Sequence, residues 1–235
     1  MTRGIMDKKR IDLFLVIILA LCACLTYFLE PVIIETNGFL SSFDVFIFNR
    51  DRLSEVEGID VISQVGGEWF MFSLPIIFTI VPVRLFTEEL NTGTYRYEIL
   101  RSSERRFFGI TMKSFVTSAF LIWITSIVFH TLLSVLMFGV KAKETTFADG
   151  SNVYLFNLKQ MLFSSSRILA VIFLVLFTAY ILSVLFMNKY ISIVLPFLIV
   201  YFLNKFDINI FAYLGADIGL FWVAEYALKW RARRV

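Results

Sequence analysis

Six apolar runs constrain this chain more than any other feature. They cover about residues 11–29, 69–86, 115–140, 168–187, 190–204 and 208–228. A helix needs about 20 apolar residues to cross a hydrocarbon core about 30 Å thick. The pattern therefore predicts an all-α integral membrane protein with six transmembrane helices in a single transmembrane domain, 1–235. Composition agrees. Hydrophobic residues make up 58% and include 27 Phe, while 17% are charged, against about 25% in a soluble domain. That excludes a disordered chain and an ordinary soluble domain, whose surface could not hide so many Phe. A net charge of +3 gives no reason to expect nucleic acid.

The first run is too long for the apolar core of a signal peptide, and no small-residue cleavage site follows it. It is expected to stay as a helix, ended by Glu30-Pro31. Residues 31–68 form a loop, aromatic yet polar. Counting Glu30, its eight acids are Glu30, Glu35, Asp44, Asp51, Glu55, Glu57, Asp60 and Glu68, against two bases, Arg50 and Arg52. Its segment 39–48 is mixed apolar and suits the membrane surface, and Gly66-Gly67 closes it. The second run carries Pro75 and Pro82 and the fifth carries Pro196, each removing a backbone donor and favouring a bend.

An even number of crossings puts both termini on one side. With the N-terminus inside, the cytoplasmic segments hold 15 of the 22 Lys and Arg residues, and the outer loops hold the other seven. The positive-inside rule thus places both termini in the cytoplasm, as expected of a multi-pass protein of the bacterial cytoplasmic membrane. The fifth run, about 15 residues, is short for a full crossing.

Motifs for chemistry are lacking. No Gly-x-x-x-x-Gly-Lys-Ser/Thr cradles a nucleotide, no His-Glu-x-x-His binds zinc, and the single histidine cannot build a multi-histidine site. Glu88-Glu89 lacks the arginine of the Glu-Glu-x-x-x-Arg protease motif, because Gly93 stands there. Cys22 and Cys24 point to different helix faces and cannot pair with each other. No catalytic residue and no metal site is expected. Ionisable residues inside the runs are His130, Asp217 and Glu225. His130 is either a substrate or proton contact or a neutral imidazole bonded to a neighbouring helix. Asp217 is either a pore-facing acid or an outer-interface residue. Glu225 stands at i, i+4 from Lys229, the spacing of an interfacial ion pair. Gly215 and Gly219 form a small-residue step that permits close helix packing.

The segment 87–113 is dense in both charge signs. Within it, 94–100 suits either a short amphipathic helix, with Tyr97 and Leu100, or Tyr95 and Ile99, on one face, or a solvated loop of mixed charge. It carries Glu89, then Gly93-Thr94, Glu98-Ile99-Leu100, the patch Ser102-Ser103-Glu104-Arg105-Arg106, Gly109 and Lys113. This order resembles the coupling loop in permease subunits of small six-helix ABC-type exporters of the second class (the type V exporter fold), such as peptide-toxin export and bacteriocin-immunity permeases. The family's proline after the apolar pair is replaced by Ser102 or Ser103.

The resemblance implies a half-transporter that pairs with a second copy or paralogue. It implies a separate ABC-type ATPase, which holds ATP and Mg, so that this chain is not itself an enzyme and carries no cofactor. Docking would use Glu88, Glu89, Gly93, Thr94, Tyr95, Arg96, Tyr97, Glu98, Leu100 and Arg101. Tyr95, Tyr97 and Leu100 would fill an apolar cleft of the ATPase. The first and fifth helices would make the dimer contact. The second and fifth would line the route, with Phe72, Pro75, Phe78, Pro82, Pro196, Phe197 and Tyr201 as pathway residues. So apolar a lining suits an amphipathic or hydrophobic cargo, above all a peptide, moving through or out of the membrane lipid. The competing classes are a stand-alone channel or secondary transporter, and a membrane sensor whose outer loop binds a ligand.

Overall fold

In a computed structural model, residues 13–29, 31–35, 38–48, 56, 61–62, 68–139, 152–203 and 210–233 are described. Eight helices among them follow in order: α1 Leu13–Phe28, α2 Ser42–Ile47, α3 Glu68–Asn91, α4 Thr94–Arg101, α5 Glu104–Phe138, α6 Val153–Phe186, α7 Lys189–Leu203 and α8 Ile210–Arg233. A two-stranded hairpin, β1 Pro31–Glu35 and β2 Gly38–Ser41, lies between α1 and α2. The other described residues are turns or irregular links, except for a helical stretch at 61–62. Three stretches are long and apolar enough to cross a membrane, namely Glu104–Phe138, Val153–Phe186 and Phe211–Arg233, and Leu15–Phe28 and Lys189–Phe202 are shorter apolar helices. These features make it a helical membrane protein.

Helix ends follow capping chemistry and not hydropathy. The apolar run at 115–140 sits in a helix that already starts at Glu104. The Ser103 hydroxyl accepts from the Arg106 amide at 3.2 Å, and the Phe107 amide donates to the Ser103 carbonyl at 3.0 Å. That is an N-cap satisfying donors that a helix start leaves free. Likewise α6 starts at Val153, not near 168, because the Asn152 side chain accepts from the Leu155 amide at 3.2 Å. Asn188 caps α7, accepting from the Tyr190 amide at 2.9 Å. At its other end α5 stops where Gly139 turns left-handed at φ +76°. At 35 residues α5 is about 52 Å long, well beyond a core about 30 Å thick, so its charged first turns extend past the apolar zone.

The chain divides into two compact units. One comprises 1–19, 74–123 and 169–235. Its core is aromatic and centres on Tyr180 of α6. The Tyr180 ring stacks on Phe86 of α3 at 4.6 Å and meets Phe108 and Phe115 of α5 edge-on at 5.7 and 5.4 Å. Its hydroxyl lies 3.4 Å from Thr111 Oγ1. Phe221 of α8 closes the set against Phe108 and Phe177 at 5.3 and 5.9 Å. Edge-on pairs bring the positive ring edge to the negative face and add to what burial contributes. Helix α6 is the most enclosed: 61% of its most apolar window is buried, against 22% for α5 and 28% for α8. It ends at Met187, left-handed at φ 52°. There the Arg231 guanidinium from α8 donates to the Val184 carbonyl and lies against the Met187 sulfur. This contact satisfies a carbonyl that the helix end leaves open.

The second unit comprises 20–73 and 124–168. Residues 31–35 and 38–47, expected as loop, form the paired strands and α2. The strands are antiparallel, pairing Glu35 with Gly38 and Ile33 with Leu40. A capping box starts α2: the Ser41 hydroxyl accepts from the Asp44 amide, and the Asp44 carboxylate accepts from the Ser41 amide. Cys24, Phe28, Val45, Val56 and Val61 form the buried cluster, with Phe129, Leu133, Met137 and Phe138 packed against it. Gly66-Gly67 lies outside the described residues.

Arg231→Ala should leave the Val184 carbonyl short of its partner and cost about 1–3 kcal/mol. The expected outcome is a lower thermal midpoint of the detergent-purified protein with unchanged helix content by circular dichroism.

Candidate functional site

Between α3 and α5 the backbone turns twice within a short stretch, and polar side chains shape both turns. At the first, α3 ends at Asn91. The Thr92 hydroxyl donates to the Glu88 carbonyl at 2.8 Å, and the Thr94 hydroxyl donates to the Glu89 carbonyl at 3.2 Å. Gly93 sits between them at φ +72°, a left-handed conformation that disfavours any residue with a Cβ. The Gly-Thr pair therefore has a local cause: the glycine makes the turn and the threonine closes the open end of α3. At the second turn the Ser102 amide and hydroxyl both donate to the Glu98 carbonyl, at 3.0 and 2.8 Å, before Ser103 caps α5. Two serines thus end α4 and start α5.

Helix α4, eight residues long, has two unlike sides. Tyr95 is 1% exposed, while Tyr97 is 77% and Leu100 85% exposed. Arg96 and Arg101 are exposed, and Glu98 and Ile99 are half-buried. The Arg96 guanidinium lies 5.9 Å from the Tyr95 ring. Tyr95 was expected in a partner's cleft; it is instead buried within its own chain and anchors α4. The face that can meet a partner is Tyr97 and Leu100, flanked by the two arginines. Just before it, exposed Glu88 pairs with Arg84 at 3.4 Å, a surface contact of little energetic weight, and Glu89 is half-buried.

The pathway residues are less uniform. Pro75, Phe78 and Pro82 on α3 and Pro196 on α7 are buried, Phe197 is half-buried and Tyr201 is exposed. The Phe72 side chain lies outside the described residues. The Thr79 hydroxyl donates to the Pro75 carbonyl, holding polar backbone inside the helix beside the proline. A small cleft of about 140 Å³ lies elsewhere, among Tyr226, Lys229, Trp230 and Arg233 at the end of α8. Sequence reasoning passed over this cleft, although aromatic and basic residues at i, i+3, i+4 and i+7 were its visible signal.

The three ionisable residues have different fates. His130 Nε2 donates to the Val61 carbonyl at 3.0 Å, with the ring packed against Tyr27 and Phe28 at 4.8 and 5.1 Å. Its partner is a carbonyl in a helical stretch, residues 61–62, that lies outside the six apolar runs. A bond across 69 residues of chain leaves no local pattern to read. Glu225 pairs with Lys229 at 2.7 Å. Asp217 is 6% exposed, and neither carboxylate oxygen has a hydrogen-bond partner among the described residues. No group of three His, Cys, Asp or Glu side chains there could hold a metal, and both cysteines are free. Among known proteins, no family model, curated protein or solved structure matches this chain.

Tyr95→Ala should destabilise the protein by about 3–5 kcal/mol, the usual cost of truncating a buried aromatic. Tyr97→Ala should change stability by about 0.5 kcal/mol or less, as expected at an exposed position. Thermal unfolding of the two variants in one detergent checks the contrast.

Proposed function

We propose that this chain is the membrane-spanning subunit of an ATP-driven exporter in a bacterial cytoplasmic membrane. Six helices cross the bilayer, α1, α3, α5, α6, α7 and α8, with both termini in the cytoplasm. Two subunits pair, and each docks a separate ABC-type ATPase through α4. Helices α3 and α7 line the route of an amphipathic cargo, in the first place a peptide. At 15 residues α7 is about 22 Å long and crosses a locally thinned bilayer.

One observation carries this reading. Helix α4 is fastened by buried Tyr95, yet holds Tyr97 and Leu100 out at 77% and 85% exposure between Arg96 and Arg101. A large aromatic and a leucine held out on a fixed short helix, with cations on both sides, is the form of a docking anchor. The resemblance of this segment to exporter coupling loops names the partner, and the 15-to-7 distribution of basic residues supports its cytoplasmic side.

The test is co-purification in mild detergent from cells that make the tagged chain at native level. The wild type should bring down a P-loop ATPase. Combining Tyr97→Ala with Leu100→Ala should lower its recovery by about tenfold or more, because truncating interface anchors costs about 2 kcal/mol each. Leu136→Ala, at another exposed apolar site, should leave recovery unchanged. Full recovery with the double variant would remove the docking assignment.

A further inference from the structure

Asp217 is the least satisfied group among the described residues. It lies within the apolar stretch Phe211–Arg233, on the face of α8 that carries the buried residues Tyr213, Ala224 and Leu228. Only 6% of it is exposed, and both carboxylate oxygens lack a partner. An ionised carboxylate in apolar surroundings is costly unless a cation joins it. Protonation removes the charge, yet it leaves an O–H that still needs an acceptor and a second oxygen without a donor. One N–H-bearing cation satisfies both oxygens.

No cation on α8 serves this purpose. Lys229 is engaged by Glu225, and Arg231 is turned onto the end of α6. Each lies 12 or more residues along the helix from Asp217, about 18 Å or more. The flanking residues on the same face are aromatic. Tyr213 stands one turn before at i−4, and Phe221 one turn after at i+4, held against Phe108 and Phe177. A carboxylate between two rings suits an alkylammonium: the acid takes the charge, and the rings take the adjoining methylenes and the cation's field.

We infer that Asp217, with Tyr213 and Phe221, forms an acceptor site for the ammonium group of a lipophilic cation. As a statement about cargo this rests on the transport function proposed above; as a binding site it does not. The ammonium is either that of a small lipophilic amine or a lysine on an amphipathic peptide.

The test uses the full chain in phosphatidylcholine nanodiscs at pH 7, with empty nanodiscs subtracted. Dodecylammonium and uncharged dodecanol are titrated against Trp fluorescence, Trp222 being close to the site in sequence. The wild type should prefer the ammonium by about tenfold, and Asp217→Asn should reduce that to about twofold or less, with Asp217→Glu restoring part of it. A helical peptide with lysines, compared with the same peptide acetylated on them, separates the sources. Discrimination confined to dodecylammonium assigns a small amine, and discrimination between the peptides assigns a lysine side chain; either supports the site. If Asp217→Asn does not fold, the wild-type preference still decides, because a wild type that treats amine and alcohol alike overturns the inference. So does an Asp217→Asn variant that keeps the full preference. ATPase recovery is scored on the same preparations. A bound ATPase without an Asp217-dependent preference removes this inference alone. A preference without any ATPase leaves the site standing and removes the transport function.

Discussion

Backbone hydrogen bonding in an apolar solvent governs this structure. Inside hydrocarbon no water is available for a free N–H or C=O, so each must be paired within the protein. Helices meet that demand along their length and fail at their ends. Polar side chains serve backbone groups within helices, as where Thr79, Thr111 and Ser183 donate to carbonyls of the preceding turn, and also at helix ends. Ser103, Asn152 and Asn188 accept from helix starts, Thr92 and Thr94 close the end of α3, and Arg231 reaches across to the end of α6. The aromatic packing around Tyr180 depends on this, because α3, α5, α6 and α8 can bring their rings together only if their ends are stable.

The same constraint separates what could be read in the sequence from what could not. Over its described residues each apolar run lies in a helix apart from a residue at an end, because hydropathy is a property of the residues themselves. The helix limits were not legible in hydropathy: α5 and α6 begin well before their apolar runs, since a helix continues until a cap or a left-handed residue stops it. Ser103 and Asn152 were visible as residues, but capping is a matter of backbone geometry that many serines and asparagines never adopt. Helix α4 was legible from the amphipathic pattern of 94–100, while the turns that bound it, at Gly93-Thr94 and Ser102-Ser103, were visible only as residues. Its orientation was not legible. Tyr95 and Tyr97 are the same residue type two positions apart, and only the packing of α4 on its own chain decides which is buried. The His130–Val61 contact and the hairpin at 31–41 depend on partners or register that no local period announces.

Buried Tyr95 and exposed Tyr97 divide the work of α4. One ring fixes the short helix so that its position follows the ends of α3 and α5, and the other ring is offered outward. The hydroxyls of Thr94, Ser102 and Ser103 hold the short helix at both ends. The Ser102 and Ser103 hydroxyls mark the break between α4 and α5.

The most direct test of the central claim is site-specific photo-crosslinking from α4 in living cells. A photoreactive amino acid at position 97 or 100 should capture a nucleotide-binding ATPase, and one at position 95 should capture only this chain. Crosslinks from 97 and 100 that join no ATPase, or an ATPase captured equally well from 95, would contradict the account.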